Sequence, residues 1–181
     1  VALGHSALLN NTTASNNTAV GYQAAYANTT GAHNTFLGRY AGHDNTTASD
    51  NIAVGSVALY YNTTGTSNVA IGRQALNNNT TASNNTAVGY QAAYSNTTGA
   101  RITAIGNGAL YANTTGNDNT AVGWDTLNAN TTGINNIAMG RDALGANTSG
   151  GYNVALGMSS LGSNTTASNN TAVGYQALYT N

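Results

Sequence analysis

Ten asparagines in this chain stand in the N-x-[ST] pattern, the acceptor sequence for N-linked glycans. They recur every 17 residues and precede Thr-Thr, or in one copy Thr-Ser: Asn11, Asn28, Asn45, Asn62, Asn79, Asn96, Asn113, Asn130, Asn147 and Asn164. A glycan on every repeat is therefore one hypothesis. The same residues also suit a turn, and stacked side-chain amides could hydrogen-bond between repeats as an asparagine ladder. Both interpretations stay open at this stage.

Residues for acid–base or metal chemistry are few and scattered. The histidines His5, His33 and His43 fall at different positions of the repeat, and the acids are five separate Asp residues: Asp44, Asp50, Asp118, Asp125 and Asp142. The stretch Gly116-Asn117-Asp118 is similar to part of a calcium-binding nonapeptide repeat, but it occurs once. No strand-to-helix element follows the glycines, so they form no phosphate loop. We predict no enzyme, no catalytic residue, no metal site and no cofactor, covalent glycans apart.

Composition narrows the function classes further. Charged residues make up 5% of the chain, the formal net charge is −1 and there is no cysteine. A basic footprint for nucleic acid is therefore absent, and no apolar run approaches the length that spans a membrane. Without cysteines the fold needs no oxidising compartment.

One glycine recurs every 17 residues along the whole chain. The series is Gly4, Gly21, Gly38, Gly55, Gly72, Gly89, Gly106, Gly123, Gly140, Gly157 and Gly174. Numbered from its opening asparagine, the unit reads N-x-A-x-G-x-x-A-L-x-x-N-T-T-x-x-x, with the glycine at position five. A period this short matches one coil of a β-solenoid rather than a helix pair or a propeller blade. The sequence predicts an all-β, parallel β-solenoid of about eleven rungs, forming one array over residues 1–181 without a second domain.

The elements of each coil follow from the unit. The β-branched, alternating segment at positions two to four predicts a short strand, and the A-L-Y segment after the glycine predicts a second one. Asn-Thr-Thr followed by Gly or Ala predicts a turn. Coils of this kind stack at roughly 4.8 Å per rung. The array begins and ends within a unit, so we expect it to be a window of a longer array or a segment that continues into another part of the protein.

Side-chain alternation assigns faces to the strand, because residues two apart share a face. Positions two and four form an apolar face, whereas positions three and five form a bare Ala/Gly face that another copy of the chain could approach. Position six varies freely, which predicts exposure to solvent. In one unit Phe36 replaces the third-position Ala and Gly42 replaces the ninth-position Leu. This exchange conserves volume, so positions three and nine should touch.

The repeats resemble a known family. The segments N-T-A-V-G-Y-Q-A at 17–24, N-V-A-I-G-R-Q-A at 68–75 and N-I-A-M-G-R-D-A at 136–143 are similar to head repeats of YadA-like trimeric autotransporter adhesins. They also resemble related repeats in phage and bacterial tail-fibre-type proteins. The resemblance implies a left-handed β-roll, three copies packed about an axis, display outside the cell and a role in attachment. The usual adhesin repeat is shorter than 17 residues and lacks a fixed Asn-Thr-Thr turn.

These observations favour an extracellular or cell-surface structural fibre or adhesin shaft that self-associates and serves attachment or matrix formation. The alternative is an adhesin head that binds a glycan or matrix ligand through exposed arginines and tyrosines, the latter at positions six and ten: Tyr22, Tyr26, Tyr60, Tyr90, Tyr94, Tyr111, Tyr175 and Tyr179. Those tyrosines could instead cover neighbouring rungs. A third hypothesis is ice binding by two outward rows, formed by the turn Asn and the second Thr. Neither nucleic acid nor membrane insertion is expected.

Overall fold

The computed structural model describes residues 1–180, which form an all-β solenoid. Eleven short strands pair in parallel, in chain order, within a single sheet. Their bounds are β1 Ala2–Leu3, β2 Thr18–Val20, β3 Thr35–Leu37, β4 Ile52–Val54, β5 Val69–Ile71, β6 Thr86–Val88, β7 Thr103–Ile105, β8 Thr120–Val122, β9 Ile137–Met139, β10 Val154–Leu156 and β11 Thr171–Val173. Each residue pairs with the one 17 positions later, as Ala53 does with Ala70. The predicted solenoid with one coil per repeat is confirmed.

The periodic glycine ends each strand because no other residue fits there. Gly55 has a φ of 137°, a conformation that side chains rarely adopt, and an added Cβ would lie 2.6 Å from the carbonyl carbon of Gly72. The same close approach repeats from rung to rung. The glycine period is therefore a backbone packing requirement between successive coils.

The predicted second strand is wrong, since the segment after the glycine forms turns rather than extended backbone. Positions seven and nine of the unit adopt left-handed conformations, as in Val57 (φ 53°) and Leu59 (φ 51°). Their backbone amides still bond neighbouring coils: Val57 N–H donates to the carbonyl of Arg39 at 2.9 Å, and Leu59 N–H to that of Ala75 at 2.9 Å. Hydrogen bonds between rungs thus hold a conformation that local propensity disfavours.

The core consists of small apolar residues and buried asparagines. Between the two terminal coils the strand-centre alanines are fully buried inside the coil, as are the position-eight alanines and the position-nine leucines. The expectation that the Ala/Gly face receives another copy of the chain is therefore wrong. Where position nine carries leucine, the coil has no room for a larger side chain on the inward face of the strand, and the aliphatic residues at positions two and four point outward.

The exception in the third coil confirms the predicted contact between positions three and nine. Phe36 is fully buried, and a Cβ built on Gly42 would overlap its ring. The phenyl ring of Phe36 fills the space that a side chain at position 42 would occupy. Volume is thus conserved within the coil, as close packing requires.

Candidate functional site

The asparagines at position twelve form a continuous hydrogen-bonded ladder. Asn79 is fully buried, and its Nδ2 donates to Asn62 Oδ1 at 2.9 Å and to the Ala82 carbonyl at 3.0 Å. Its Oδ1 in turn accepts from Asn96 Nδ2 at 3.0 Å. The same bond links every successive pair from Asn11 to Asn164. The ladder interpretation is confirmed.

This geometry opposes the glycosylation hypothesis. An N-linked sugar replaces one hydrogen of the asparagine Nδ2, yet from Asn28 to Asn164 that nitrogen donates twice, once to the preceding ladder residue and once to its own turn. The side chains from Asn28 to Asn147 are fully buried. A sugar would therefore have to leave the coil through packed backbone. Glycosylation stays untested, and the fold favours the ladder.

A second asparagine row, at position one, was missed from the sequence. Asn51 Nδ2 donates to the Gly65 carbonyl at 2.9 Å, while its Oδ1 accepts the backbone N–H of Asn68 at 2.9 Å. This row thus ties the turn to the start of the next strand. The available signal was the recurrence of Asn at this position, broken only by Ile102 among the complete units.

The two threonines of the turn have different environments. The first donates its hydroxyl to the next coil, as Thr63 Oγ1 does to the Thr80 carbonyl at 3.1 Å. The second is exposed, as at Thr64. The ice-binding hypothesis required the ladder asparagines and the second threonines to form two outward rows. That premise is wrong, because the asparagines point into the coil.

The outward face of the sheet carries two straight rows of uncharged, largely apolar side chains. We call this surface the strand face. Its first row is Val1, Thr18, Thr35, Ile52, Val69, Thr86, Thr103, Thr120, Ile137, Val154 and Thr171, and its second is Leu3, Val20, Leu37, Val54, Ile71, Val88, Ile105, Val122, Met139, Leu156 and Val173. Ile52, Ile71 and Ile105 are each 40% exposed. Exposed large apolar side chains recur along the face, and β2, β6, β8 and β10 carry half-buried ones between them. Such a series indicates an interaction surface.

Many of the aromatic side chains stack on one another or pack edge to face. Tyr26, His43 and Tyr60 stack in sequence at centroid distances of 5.1 and 4.8 Å, almost parallel, and Tyr94 stacks on Tyr111 at 5.4 Å. Burial raises the pKa of Tyr60, and the nearby Asp44 carboxylate adds to the shift. These contacts favour a stabilising role between rungs over sugar stacking, since occupied ring faces cannot receive a ligand.

A shallow groove of about 330 Å³ opens where the position-ten aromatic row is interrupted. Asp125 and Asp142 line one side of it, Gly145 and Gly162 leave the space of the missing rings, and Tyr179 closes one end. In the sequence, Asn77, Asn128, Gly145 and Gly162 interrupt this row, so it forms no continuous aromatic groove. Trp124, the single tryptophan of the chain, is 52% exposed and directly precedes Asp125.

The ionisable residues form isolated pairs between neighbouring side chains. Arg101 donates to both carboxylate oxygens of Asp118, at 2.6 and 2.8 Å, and this hydrogen bonding lowers the pKa of Asp118. His43 Nδ1 lies 2.6 Å from Asp44 Oδ1. In residues 1–180 no group of three or more metal-ligating side chains comes together. The fold therefore does not assemble the scattered histidines and aspartates into one site.

Comparison of the chain with protein-family models, curated proteins and solved structures finds no match. Over the described residues, no helix has the length and apolar character needed to cross a membrane. The candidate sites are therefore the strand face and the groove, one repeated on every rung and the other local.

Proposed function

We propose that this array is a structural, non-enzymatic fibre or adhesin shaft, extracellular or on the cell surface, that self-associates through the strand face. The observation that supports the proposal most directly is the pair of uncharged, largely apolar rows on the strand face, in which large apolar side chains are repeatedly exposed. They run along all eleven strands without a charged side chain. Attachment or matrix formation then follows from length and repetition rather than from a catalytic centre.

The interior suits a shaft. Each coil bonds to the next through backbone amides, the position-twelve ladder and the threonine hydroxyls. Interactions in such an array are nearest-neighbour, so stiffness extends as far as the repeats do. Eleven rungs at about 4.8 Å give a length of roughly 50 Å. Reach of this kind is a mechanical function that needs no unique residue.

The partner of the strand face is a second copy of the same chain. With about 4.8 Å between strands and about 3.3 Å per residue along them, the two rows cover roughly 500 Å². A patch of this size lies at the upper end of what monomers expose, and such patches are often functional. Another copy presents rows with the same rung spacing, so side chains of the two faces can interdigitate along their full length.

Sedimentation velocity of the intact chain tests the proposal. We expect the wild-type chain to be an oligomer. Ile71→Lys places a charge in the second row and should shift it to monomer, because the ammonium group would be buried unpaired at the interface. Thr81→Lys is the matched control, since Thr81 is exposed on the turn of the same coil and should leave the oligomer intact. Circular dichroism checks that both variants stay folded, and a monomeric wild-type chain would refute self-association.

A second candidate, a ligand-binding adhesin head, is supported by the groove and by the exposed Trp124, which precedes the groove residue Asp125 in the chain. Exposed aromatic rings and carboxylates are side chains that can contact sugars. Titration of soluble oligosaccharides against the fluorescence of the single tryptophan tests this candidate. A saturable change that Asp142→Ala removes and Asp118→Ala preserves would support it, whereas an unchanged signal with every sugar would count against it.

A further inference from the structure

Tyr94 and Tyr111 occupy the same unit position on successive coils and lie face to face. Their ring centroids are 5.4 Å apart and their planes differ by 8°. Both residues are half-buried, so each ring is confined by the coil yet reachable from solvent. Parallel stacking at this distance places the face of one phenol ring against the face of the other.

We propose that Tyr94 and Tyr111 are a site of oxidative modification, coupled to dityrosine by a peroxidase acting with hydrogen peroxide. Each phenol loses one electron and its hydroxyl proton to give a phenoxyl radical. The two radicals form one carbon–carbon bond between one Cε atom of each ring, the carbon ortho to the hydroxyl group. The hydrogens on those two carbons then move to the oxygens and restore both phenols. The two electrons and two protons released reduce one peroxide molecule to two water molecules.

Geometry singles out this pair from the other tyrosine contacts. In the first coils His43 separates Tyr26 from Tyr60, so no tyrosine neighbours a tyrosine in that row. The other tyrosine–tyrosine contacts are edge-on: Tyr40 meets Tyr22 at 80° and Tyr60 at 78°, and Tyr60 meets Tyr61 at 71°. An edge-on contact points one ring at the middle of the other, which keeps the reactive ring carbons apart. Over residues 1–180, Tyr94 and Tyr111 are the one pair of tyrosine rings stacked in parallel.

The crosslink would close a covalent loop between adjacent coils. Such loops restrict the unfolded chain, as disulfides do. Neighbouring rungs joined in this way stay tethered at the two tyrosines even when the turn between them unfolds. The modification therefore provides a cysteine-free chain with a covalent staple, and it is independent of what the strand face binds.

Tryptic digestion after oxidation gives a direct test, because the four basic residues are Arg39, Arg73, Arg101 and Arg141. The peptide 74–101 contains Tyr90 and Tyr94, and the peptide 102–141 contains Tyr111 as its sole tyrosine. The full chain is treated with peroxidase and hydrogen peroxide, then denatured and digested. We expect a joined species of these two peptides that is lighter than their sum by two hydrogen atoms, together with dityrosine fluorescence.

Two variants and one condition make the test specific. Tyr94→Phe should abolish the joined species, because phenylalanine cannot form a phenoxyl radical, whereas Tyr90→Phe should leave it unchanged. Oxidation of the urea-unfolded chain should lower its yield at least several-fold. The oxidised chain should also unfold at a higher temperature than the untreated one. The proposal is overturned if the two peptides are not joined in the folded chain, or if unfolding leaves the yield unchanged.

Discussion

Replacement of one ladder asparagine by alanine should destabilise the coil far more than the loss of one surface amide. Asn79→Ala removes the bonds to Asn62, Ala82 and Asn96 and a longer one from Asn85 Nδ2, which keeps the Gly99 carbonyl as a partner. The Ala82 carbonyl keeps a second donor, Asn68 Nδ2, at 2.9 Å, so it is not left unpaired. Asn62 Oδ1 and one N–H of Asn96 are left without this partner inside the coil. At about 1–3 kcal/mol for each buried unsatisfied group, the expected loss in the free energy of unfolding is about 2–6 kcal/mol.

Urea denaturation followed by circular dichroism measures this loss. Asn78→Ala is the matched control, because the half-buried Asn78 adjoins Asn79 and no hydrogen bond of its side chain occurs in the described structure. The loss in the free energy of unfolding for Asn78→Ala should stay within about 0.5 kcal/mol, as for surface substitutions in general. Equal midpoints for the two variants would refute the view that the ladder stabilises the fold.

Three further predictions concern packing, backbone strain and modification. Phe36→Ala should lower the free energy of unfolding by about 3–5 kcal/mol, because it leaves a cavity. Gly42→Leu alone should also lower it, whereas the double variant should recover most of the loss. If the two single-variant losses simply add in the double variant, the contact between the two positions is contradicted. Val57→Asn should raise the free energy of unfolding by about 1 kcal/mol, because a β-branched residue is held at a φ of 53°. Gln74→Asn, at the same unit position, should raise it by less. Equal increases for the two variants would argue against backbone strain at Val57. Chain produced in a host capable of N-glycosylation should have the intact mass of the bare polypeptide, and an added hexosamine mass would show that sugar is accommodated on the turn.

The solenoid architecture was predictable because the 17-residue period and the positions of glycine and Asn-Thr-Thr within it are typical of one β-solenoid coil. Gly55 and its equivalents mark where two backbones nearly touch, and the Asn-Thr-Thr turn marks the ladder. The exchange of Phe36 and Gly42 even revealed a contact across the coil. The first two signals depend on residue types that are nearly invariant at their positions, and the third on a paired departure from the repeat.

The sequence was less informative about which face of the strand lies inside. Alternation separates Ala53 from Ile52 and Val54 but does not orient them, and hydrophobicity alone favours the larger residues as core. The deciding factor is the volume enclosed by one coil. Leu59 already fills the space opposite Ala53, as the paired change at Phe36 and Gly42 demonstrates. The turn after the glycine was also missed, because the left-handed conformations of Val57 and Leu59 run against their own propensities.

The coil therefore has side-chain amides inside and aliphatic side chains outside, and the two sets have different roles. Buried amides fix the register between rungs, because a slip would leave several of them unsatisfied at once. Ile102 shows that the position-one row tolerates an interruption: its backbone N–H still donates to Asn85 Oδ1 at 3.1 Å, although it offers no amide to the next coil. Because register is fixed internally, residues on the strand face can vary among Thr, Val, Ile, Leu and Met while the rows stay straight. Straight rows at constant spacing are what a second copy of the chain can match, so the inward amides make the outward surface usable for assembly.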